Sequence, residues 1–328
     1  MYTFNDVLII PQYSEIKSRK TVNLAVNVGI LNLELPIISA NMKTVTGPRM
    51  ALEMGRRGAW SILHRFNSIE EAVSDFIEAK TQTPGVSIGV NGDFKERFNA
   101  LYNAGARYFC IDIAHGHHIL MKETIEYIKT LYSDIYIIGG NIATPEAAKD
   151  LTLWGVNALK VGVGPGKLCQ TRNNTGVGSP QLWTLEQVYN ECLKFKKPPM
   201  IIADGGIKTI GDIAKALKFS DMVMLGSFFS GCMETPGNVY KRTDGTRYKV
   251  YGGSASGHNK SNGDKRPEFV EGVTEEVPLG DHVKFLLKEI TEGIQSSCSY
   301  VGAKNLIEYK ELCKFINIGN NGKTESKF

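Results

Sequence analysis

Eight short runs of apolar and β-branched residues, each followed by a segment of helical periodicity, leave this chain very few folds to choose from. The runs are 35–40 (LPIISA), 59–63 (AWSIL), 86–90 (VSIGV), 108–113 (YFCIDI), 135–139 (IYIIG), 159–162 (LKVG), 200–203 (MIIA) and 222–225 (MVML). Strands without polar alternation are buried on both faces, which is the pattern of a parallel sheet covered by helices. The segments between them carry helix-start signals. Ser68 and Glu71 have the spacing of a capping box, and Thr144 followed by Pro145 reads as an N-cap with proline at the first helical position. Eight β–α units in one chain predict an α/β fold, a closed (β/α)8 TIM barrel, with a doubly wound open sheet as the alternative. The whole chain, 1–328, reads as a single domain with a frayed polar tail from 319 to 328.

In such a barrel the chemistry sits where strands run into their following loops. That rule puts Asn41, His64, Asp112, Asn141, Gly164, Asp204 and Gly226 on one rim. One region breaks the repeat: 240–281, rich in Gly, Ser, Lys and Asn, reads as a mobile flap between the eighth strand and its helix. A net charge of +4 with no basic run gives no reason to expect a nucleic-acid partner, though it suits a small anion. No apolar stretch reaches the length of a membrane span, the N-terminus lacks a signal-peptide pattern, and six cysteines without C-x-x-C pairs suggest neither zinc nor disulfides. A reducing, cytoplasmic setting is the expectation.

The residues with chemical potential are grouped. After the sixth run, 162–169 (GVGPGKLC) presents a thiol, Cys169, on a glycine-rich loop, followed by the hydroxyl of Thr171 and the guanidinium of Arg172. Glycines allow close backbone approach to a ligand, so a thiolate held there can act as a nucleophile. Asp204-Gly205-Gly206 ends the seventh run and Gly226-Ser227 ends the eighth; barrels use these two strand ends to bind phosphate. Asp204 is a candidate acceptor for ribose hydroxyls. The stretch 112–118 (DIAHGHH) looks like a metal motif but has no accompanying ligand cluster, and a place beside a cofactor suits it better. In 270–278 (VEGVTEEVP), Glu271 is a candidate carboxylate for proton transfer with Thr171.

These motifs resemble the inosine monophosphate dehydrogenase/guanosine monophosphate reductase family along nearly the whole chain. The resemblance runs from Phe4-Asn-Asp-Val-Leu-Ile-Ile-Pro11 and Ser39-Ala-Asn-Met-Lys-Thr-Val45 through the Cys169 loop, Asp204-Gly-Gly, Gly226-Ser and Tyr251-Gly-Gly-Ser to Ser299-Tyr-Val-Gly-Ala-Lys304. Three features favour the reductase branch. Only about twenty residues separate His64 from Gly85, so the dehydrogenases' regulatory insertion is absent. The loop form Thr175-Gly-Val-Gly178 is similar to that of the reductases, and the stretch 254–270 leading directly to Glu271 holds no Arg-Tyr pair, the Arg247-Tyr248 pair lying further upstream.

The resemblance implies an NADPH-dependent reductive deamination of GMP to IMP and ammonia through a covalent Cys169–purine intermediate, with Thr171 and Glu271 moving protons. It implies that Lys167, Asp204, Gly205, Gly206, Gly226, Ser227, Tyr251, Gly253, Ser254 and Ala255 bind the purine nucleotide monophosphate. Asp112, Ile113, Ala114 and His115 would line the nicotinamide side, and Ser18 and Arg19 would reach a neighbouring subunit's cofactor in a homotetramer. Carbonyls of Gly164, Gly166, Cys169 and Arg172 would form a monovalent-cation (potassium) site. Three departures stand out: Lys167 where many relatives carry serine, Gln170 for threonine, and Lys43 where aspartate is frequent. The alternatives are an insertion-less IMP dehydrogenase, a reductase acting on a modified or deoxy purine nucleotide, and a nucleotide sensor without catalysis.

Overall fold

The computed structural model describes residues 1–253 and 272–325. Eight parallel strands close into a barrel in chain order: Ile37–Ser39 (β1), Trp60–Leu63 (β2), Gly85–Ile88 (β3), Tyr108–Asp112 (β4), Tyr136–Ile142 (β5), Ala158–Val161 (β6), Met200–Asp204 (β7) and Met222–Leu225 (β8). Closure pairs Val223, Met224 and Leu225 with Ile37, Ile38 and Ser39. The covering helices are Pro48–Arg56 (α1), Ile69–Ala79 (α2), Phe94–Asn103 (α3), Ile119–Leu131 (α4), Pro145–Trp154 (α5), Gln181–Cys192 (α6), Ile210–Leu217 (α7) and Val283–Val301 (α8). Both expected helix starts are present: Ser68 and Glu71 form a reciprocal capping box, and Thr144 caps α5 with Pro145 behind it. The open-sheet alternative is excluded by the closure.

Side chains alternate between two apolar layers. Ile38, Trp60, Ile62, Tyr108, Cys110, Ile138, Ala158, Ile202, Met222 and Met224 fill the barrel. Their strand neighbours, among them Ile37, Leu63, Phe109, Ile111, Leu159, Val161 and Val223, pack outward against the helices. The same alternation fixes the barrel mouth. Along β4 the inward series Tyr108, Cys110 continues to Asp112; along β6 Ala158 continues to Lys160; along β7 Ile202 continues to Asp204.

The opposite end is plugged by a hairpin, Val26–Val28 with Leu31–Leu33, which the apolar pattern did not single out. Its Val28 is fully buried among the interior residues. The Tyr108 hydroxyl donates to the Val28 carbonyl (3.1 Å) and accepts from the Ile30 N–H (3.3 Å). The segment expected as a flap has a folded base in its described part: Tyr240–Lys241, Arg247–Gly252 and Thr274–Pro278 form an antiparallel sheet. Lys249 on its middle strand is buried, and its ammonium donates to the Thr235 carbonyl (2.6 Å) and hydroxyl (2.9 Å), fixing this sheet to the turn after β8. At the chain ends Val7–Ile9 pairs with Phe315–Asn317; Asn320–Glu325 is helical, and Lys323 pairs with Asp6. Among the described residues no helix is long and apolar enough to cross a membrane.

The plug is remote from the mouth, so its packing should affect stability without affecting the site. Val28→Ala should cost about 2 kcal/mol of unfolding free energy, read from the urea midpoint, while ligand affinity at the mouth stays at the wild-type value.

Candidate active site

Cys169 lies on the loop after β6, two residues before the start of the single helical turn Thr171–Thr175. Its thiol donates to the Thr171 hydroxyl at 3.1 Å, so the candidate nucleophile and proton carrier are in direct contact. Five of the six cysteines are buried, and Cys169 alone is not. Burial pushes the thiols of Cys110, Cys192, Cys232 and Cys298 up to about 12, which keeps them protonated and inert. Arg172 braces the loop: its guanidinium donates to the Ser179 carbonyl, and its stem lies so close to Gly164 and Gly178 that a Cβ at either would approach Arg172 Cγ to 2.8 and 2.6 Å.

The flap base closes over this loop. Cys169 forms an antiparallel bridge with Gly272, Val273 N–H donates to the Leu168 carbonyl (3.2 Å), and Gly253 N–H donates to the Val273 carbonyl (3.0 Å). Thr44, on the loop after β1, both accepts from Gly252 N–H (3.0 Å) and donates to its carbonyl (3.2 Å). Glu271, Ser254 and Ala255 lie outside the described residues. Lys167, expected at phosphate, pairs with Glu275 of the flap sheet.

The strand ends of β7 and β8 form one turn-rich corner. Gly205 and Gly206 both have left-handed backbones (φ +87° and +78°), and Pro165 of the cysteine loop would meet a Cβ on Gly206 at 2.9 Å. Among the described residues, no hydrogen-bond acceptor engages the N–H groups of Gly205, Gly206, Gly226 or Ser227. The Tyr251 hydroxyl faces Gly226, 3.1 Å from where its Cβ would stand. Four open amides and a phenol at one corner suit a phosphate. The start of α7 does not add to them. Thr209 and Asp212 form a capping box there, and the Asp212 carboxylate also takes the N–H of Lys208.

Between the cysteine loop and the cofactor-side loop stands a residue that the sequence reading left inside an apolar run. Lys160 is 3% exposed, and its ammonium sits 2.8 Å from Asp112 and 3.0 Å from Asp204. Burial lowers a lysine's affinity for its proton, but here the two carboxylates outweigh it and raise it. Asp112 is likewise raised by burial, and Lys160 and then Arg65 more than reverse this, holding it below the usual carboxylate range. Asp204 also accepts from Asn141 (2.8 Å), whose other bond goes to the Gly162 carbonyl (2.7 Å). The Asn141 side-chain Oδ1 is buried and has no hydrogen-bond partner among the described residues. A lone lysine in a buried strand was the available signal, since such a charge persists only beside acids.

On the cofactor side Asp112 is buried, Ile113 half-buried, and Ala114 and His115 exposed at the mouth. His117 is tied instead to Asp150 of α5 (2.9 Å). Ser18 and Arg19 are not brought to this rim within the chain. They begin a short 3-10 segment whose next residue, Val22, accepts from Gln295 of α8 (3.2 Å), and Lys20 shares a groove with Leu35 and Arg57 at the start of β1 and the end of α1. That groove runs along α8 from Lys284 to Gln295.

His64, at the end of β2, is 9% exposed, and its Nδ1 accepts from Phe66 N–H (3.1 Å). Burial, then Lys43 and Arg97, lowers its pKa to about 4. The ring therefore stays neutral when folded, while in the unfolded chain it protonates near its ordinary 6.5. Because the folded value is the lower one, its stabilising share is complete above pH 6.5 and is lost as pH falls towards 4. Urea unfolding should lose roughly 3 kcal/mol over that interval through this group. His64→Gln should remove that share of the slope.

With this geometry in view, the chain matches the IMP dehydrogenase / GMP reductase domain over residues 1–328. It is 39% identical over 319 residues to a GMP reductase of Mesoplasma florum, covering 95% of this chain and 97% of that protein. It is 37% identical over 310 residues to a GMP reductase of Streptococcus pyogenes (93% and 92% covered), and 35% identical over 328 residues to one of Variovorax paradoxus (99% and 98%). The chain belongs to the IMP dehydrogenase/GMP reductase family.

Proposed function

We propose that this protein is a GMP reductase, which converts GMP to IMP and ammonia with NADPH as reductant. The observation that carries the reading is the one thiol that is not buried, hydrogen-bonded to a threonine hydroxyl on a glycine loop that packs against a phosphate-suited corner. In this reading the nucleotide phosphate takes the open amides of Gly205, Gly206, Gly226 and Ser227 and the Tyr251 hydroxyl. Asp204 meets the ribose, and Gly253, Ser254 and Ala255 border the base. Lys167 exchanges its partner Glu275 for phosphate or stays on the flap.

Cys169 thiolate adds to C2 of the guanine ring, and the 2-amino group leaves as ammonia after taking a proton relayed through Thr171 and Glu271. The thiolate leaves again once C2 has been reduced. Splitting the displacement in two in this way lowers each barrier. A bound reduced nicotinamide supplies the hydride that C2 receives. Asp112, Ile113, Ala114 and His115 border its place. The buried, unpartnered oxygen of Asn141 suits a carboxamide N–H or a ribose hydroxyl, so the residues present fit the group. Carbonyls of Gly164, Gly166, Cys169 and Arg172 offer neutral oxygen donors of the kind a potassium ion takes. Two of them, Gly166 and Arg172, already accept a backbone N–H (3.1 and 3.0 Å), each leaving one lone pair for the ion. Such an ion would hold the cysteine loop in shape. A homotetramer would bring Ser18 and Arg19 of one copy to the cofactor of the next.

The test is loss of the reduced-nicotinamide absorbance with GMP, with ammonia measured in parallel. XMP formed from IMP and NAD would instead mark an insertion-less dehydrogenase. Cys169→Ala should abolish turnover and leave GMP binding close to wild type; retained turnover removes the thiol from the mechanism. Glu271→Gln should slow ammonia release by roughly 10²–10⁴-fold while hydride exchange between IMP and the cofactor suffers far less. An equal fall in both half-reactions would make Glu271 a binding residue.

A further inference from the structure

We infer that Lys160 is a positioning residue that couples the nucleotide end of the site to the cofactor end, by holding Asp204 and Asp112 with one ammonium. The inference rests on the reading of Asp204 as the ribose contact and of Asp112 as the cofactor-side contact. Three strands supply the group: Asp112 ends β4, Lys160 lies on β6 and Asp204 ends β7, and strict alternation turns all three inward. The ammonium contacts are 2.8 and 3.0 Å, and the lysine is 3% exposed, so water cannot substitute for either carboxylate.

Among the described residues the pair has no other strong cation in common. Arg65, from the loop after β2, approaches Asp112 alone, with Nε 3.1 Å from its carbonyl and 3.9 Å from its carboxylate. Asn141 bonds Asp204, and Cys110 lies beneath on β4 as a buried, protonated thiol. Among the described residues, Lys160 is thus the single positive charge shared by the two carboxylates. A change in the charge or orientation of one must alter how tightly the lysine holds the other. A lysine on the barrel floor with a purely structural role would show no such cross-talk.

The experiment measures GMP affinity in cofactor-free enzyme and NADPH affinity in nucleotide-free enzyme for wild type, Asp204→Asn, Asp112→Asn and Lys160→Met. The inference expects each asparagine variant to weaken the ligand it does not touch by several-fold, and Lys160→Met to weaken both by roughly tenfold or more. It also expects the two cross-effects to disappear in the Lys160→Met background. Asparagine variants that each weaken only their own ligand overturn it, whether or not the methionine variant folds.

A second readout needs no ligand. In protein labelled with ¹³C at the aspartate carboxyl, the Asp112 resonance should titrate at lower pH in Asp204→Asn than in wild type, because the lysine then leans on Asp112 alone. An unmoved Asp112 titration overturns the coupling. If wild type binds neither GMP nor NADPH, the functional reading falls, and this carboxyl titration still decides the role of Lys160.

Discussion

Closure of the sheet between β8 and β1 is the constraint on which everything else in this protein depends. It joins Val223 to Ile37 and Leu225 to Ser39, residues far apart in the chain, and leaves the barrel with no free strand edge. Once closed, the barrel can place only two kinds of side chain inward. Below the mouth they must be apolar and close-packed, as Ile38, Trp60, Ile138, Ile202 and Met222 are. At the mouth they can be polar, provided each is satisfied. Closure also sets the β8 turn, Gly226-Ser227, beside both the β7 turn and the loop after β1, whose Thr44 holds Gly252 of the flap base.

The mouth shows what satisfaction requires. A lysine taken from water into a barrel costs several kcal/mol unless acids surround it, and removing one member of such a buried group typically costs 3–5 kcal/mol. Lys160 therefore ties the integrity of the barrel top to the two carboxylates at the mouth. The glycine corner is built on the opposite principle. There the fold leaves backbone amides without internal partners, at positions where Pro165 and the left-handed turn of Gly205 and Gly206 exclude side chains. Preformed donors of this kind are costly to leave dry, and an anion relieves them.

How much of this was legible in the sequence follows from which forces act locally. The eight strands were legible because burial on both faces makes each run apolar throughout, and helix starts such as Ser68 and Thr144 announce themselves by capping chemistry. The meeting of Cys169 with Thr171 and the left-handed turn of Gly205 and Gly206 were foreshadowed by residue type, since a thiol and a hydroxyl two positions apart on a glycine loop can meet and glycine accepts that backbone. Lys160 was not, since a single charge in an apolar run acquires meaning only when the barrel brings Asp112 and Asp204 within 3.0 Å. The sheet at the flap base was also missed. Its strand Arg247–Gly252 sits in a stretch whose composition reads as loop, and Lys249, polar by type, is buried because Thr235 and Cys232 accept from it. The plugging hairpin hid for another reason: its strands, Val-Asn-Val and Leu-Asn-Leu, are only three residues each, too short for their alternation to stand out.

Lys167 illustrates how a departure from the family pattern can be carried without disturbing the site. It stands two residues before Cys169, where a bulky cation would be expected to crowd the loop. The structure turns it outward to Glu275, leaving lysine and glutamate side chains 53% and 33% exposed. An ion pair that open to solvent stabilises by no more than about 1 kcal/mol, because water and salt screen it and two long side chains must be ordered to form it. The pair is therefore a weak link between the cysteine loop and the flap. The firmer links are the bridge from Cys169 to Gly272 and the bond from Val273 to Leu168. A phosphate near Lys167 would compete for the ammonium with a doubly charged acceptor against a singly charged one. The loop can thus yield its lysine to a ligand and stay registered on the flap through its backbone.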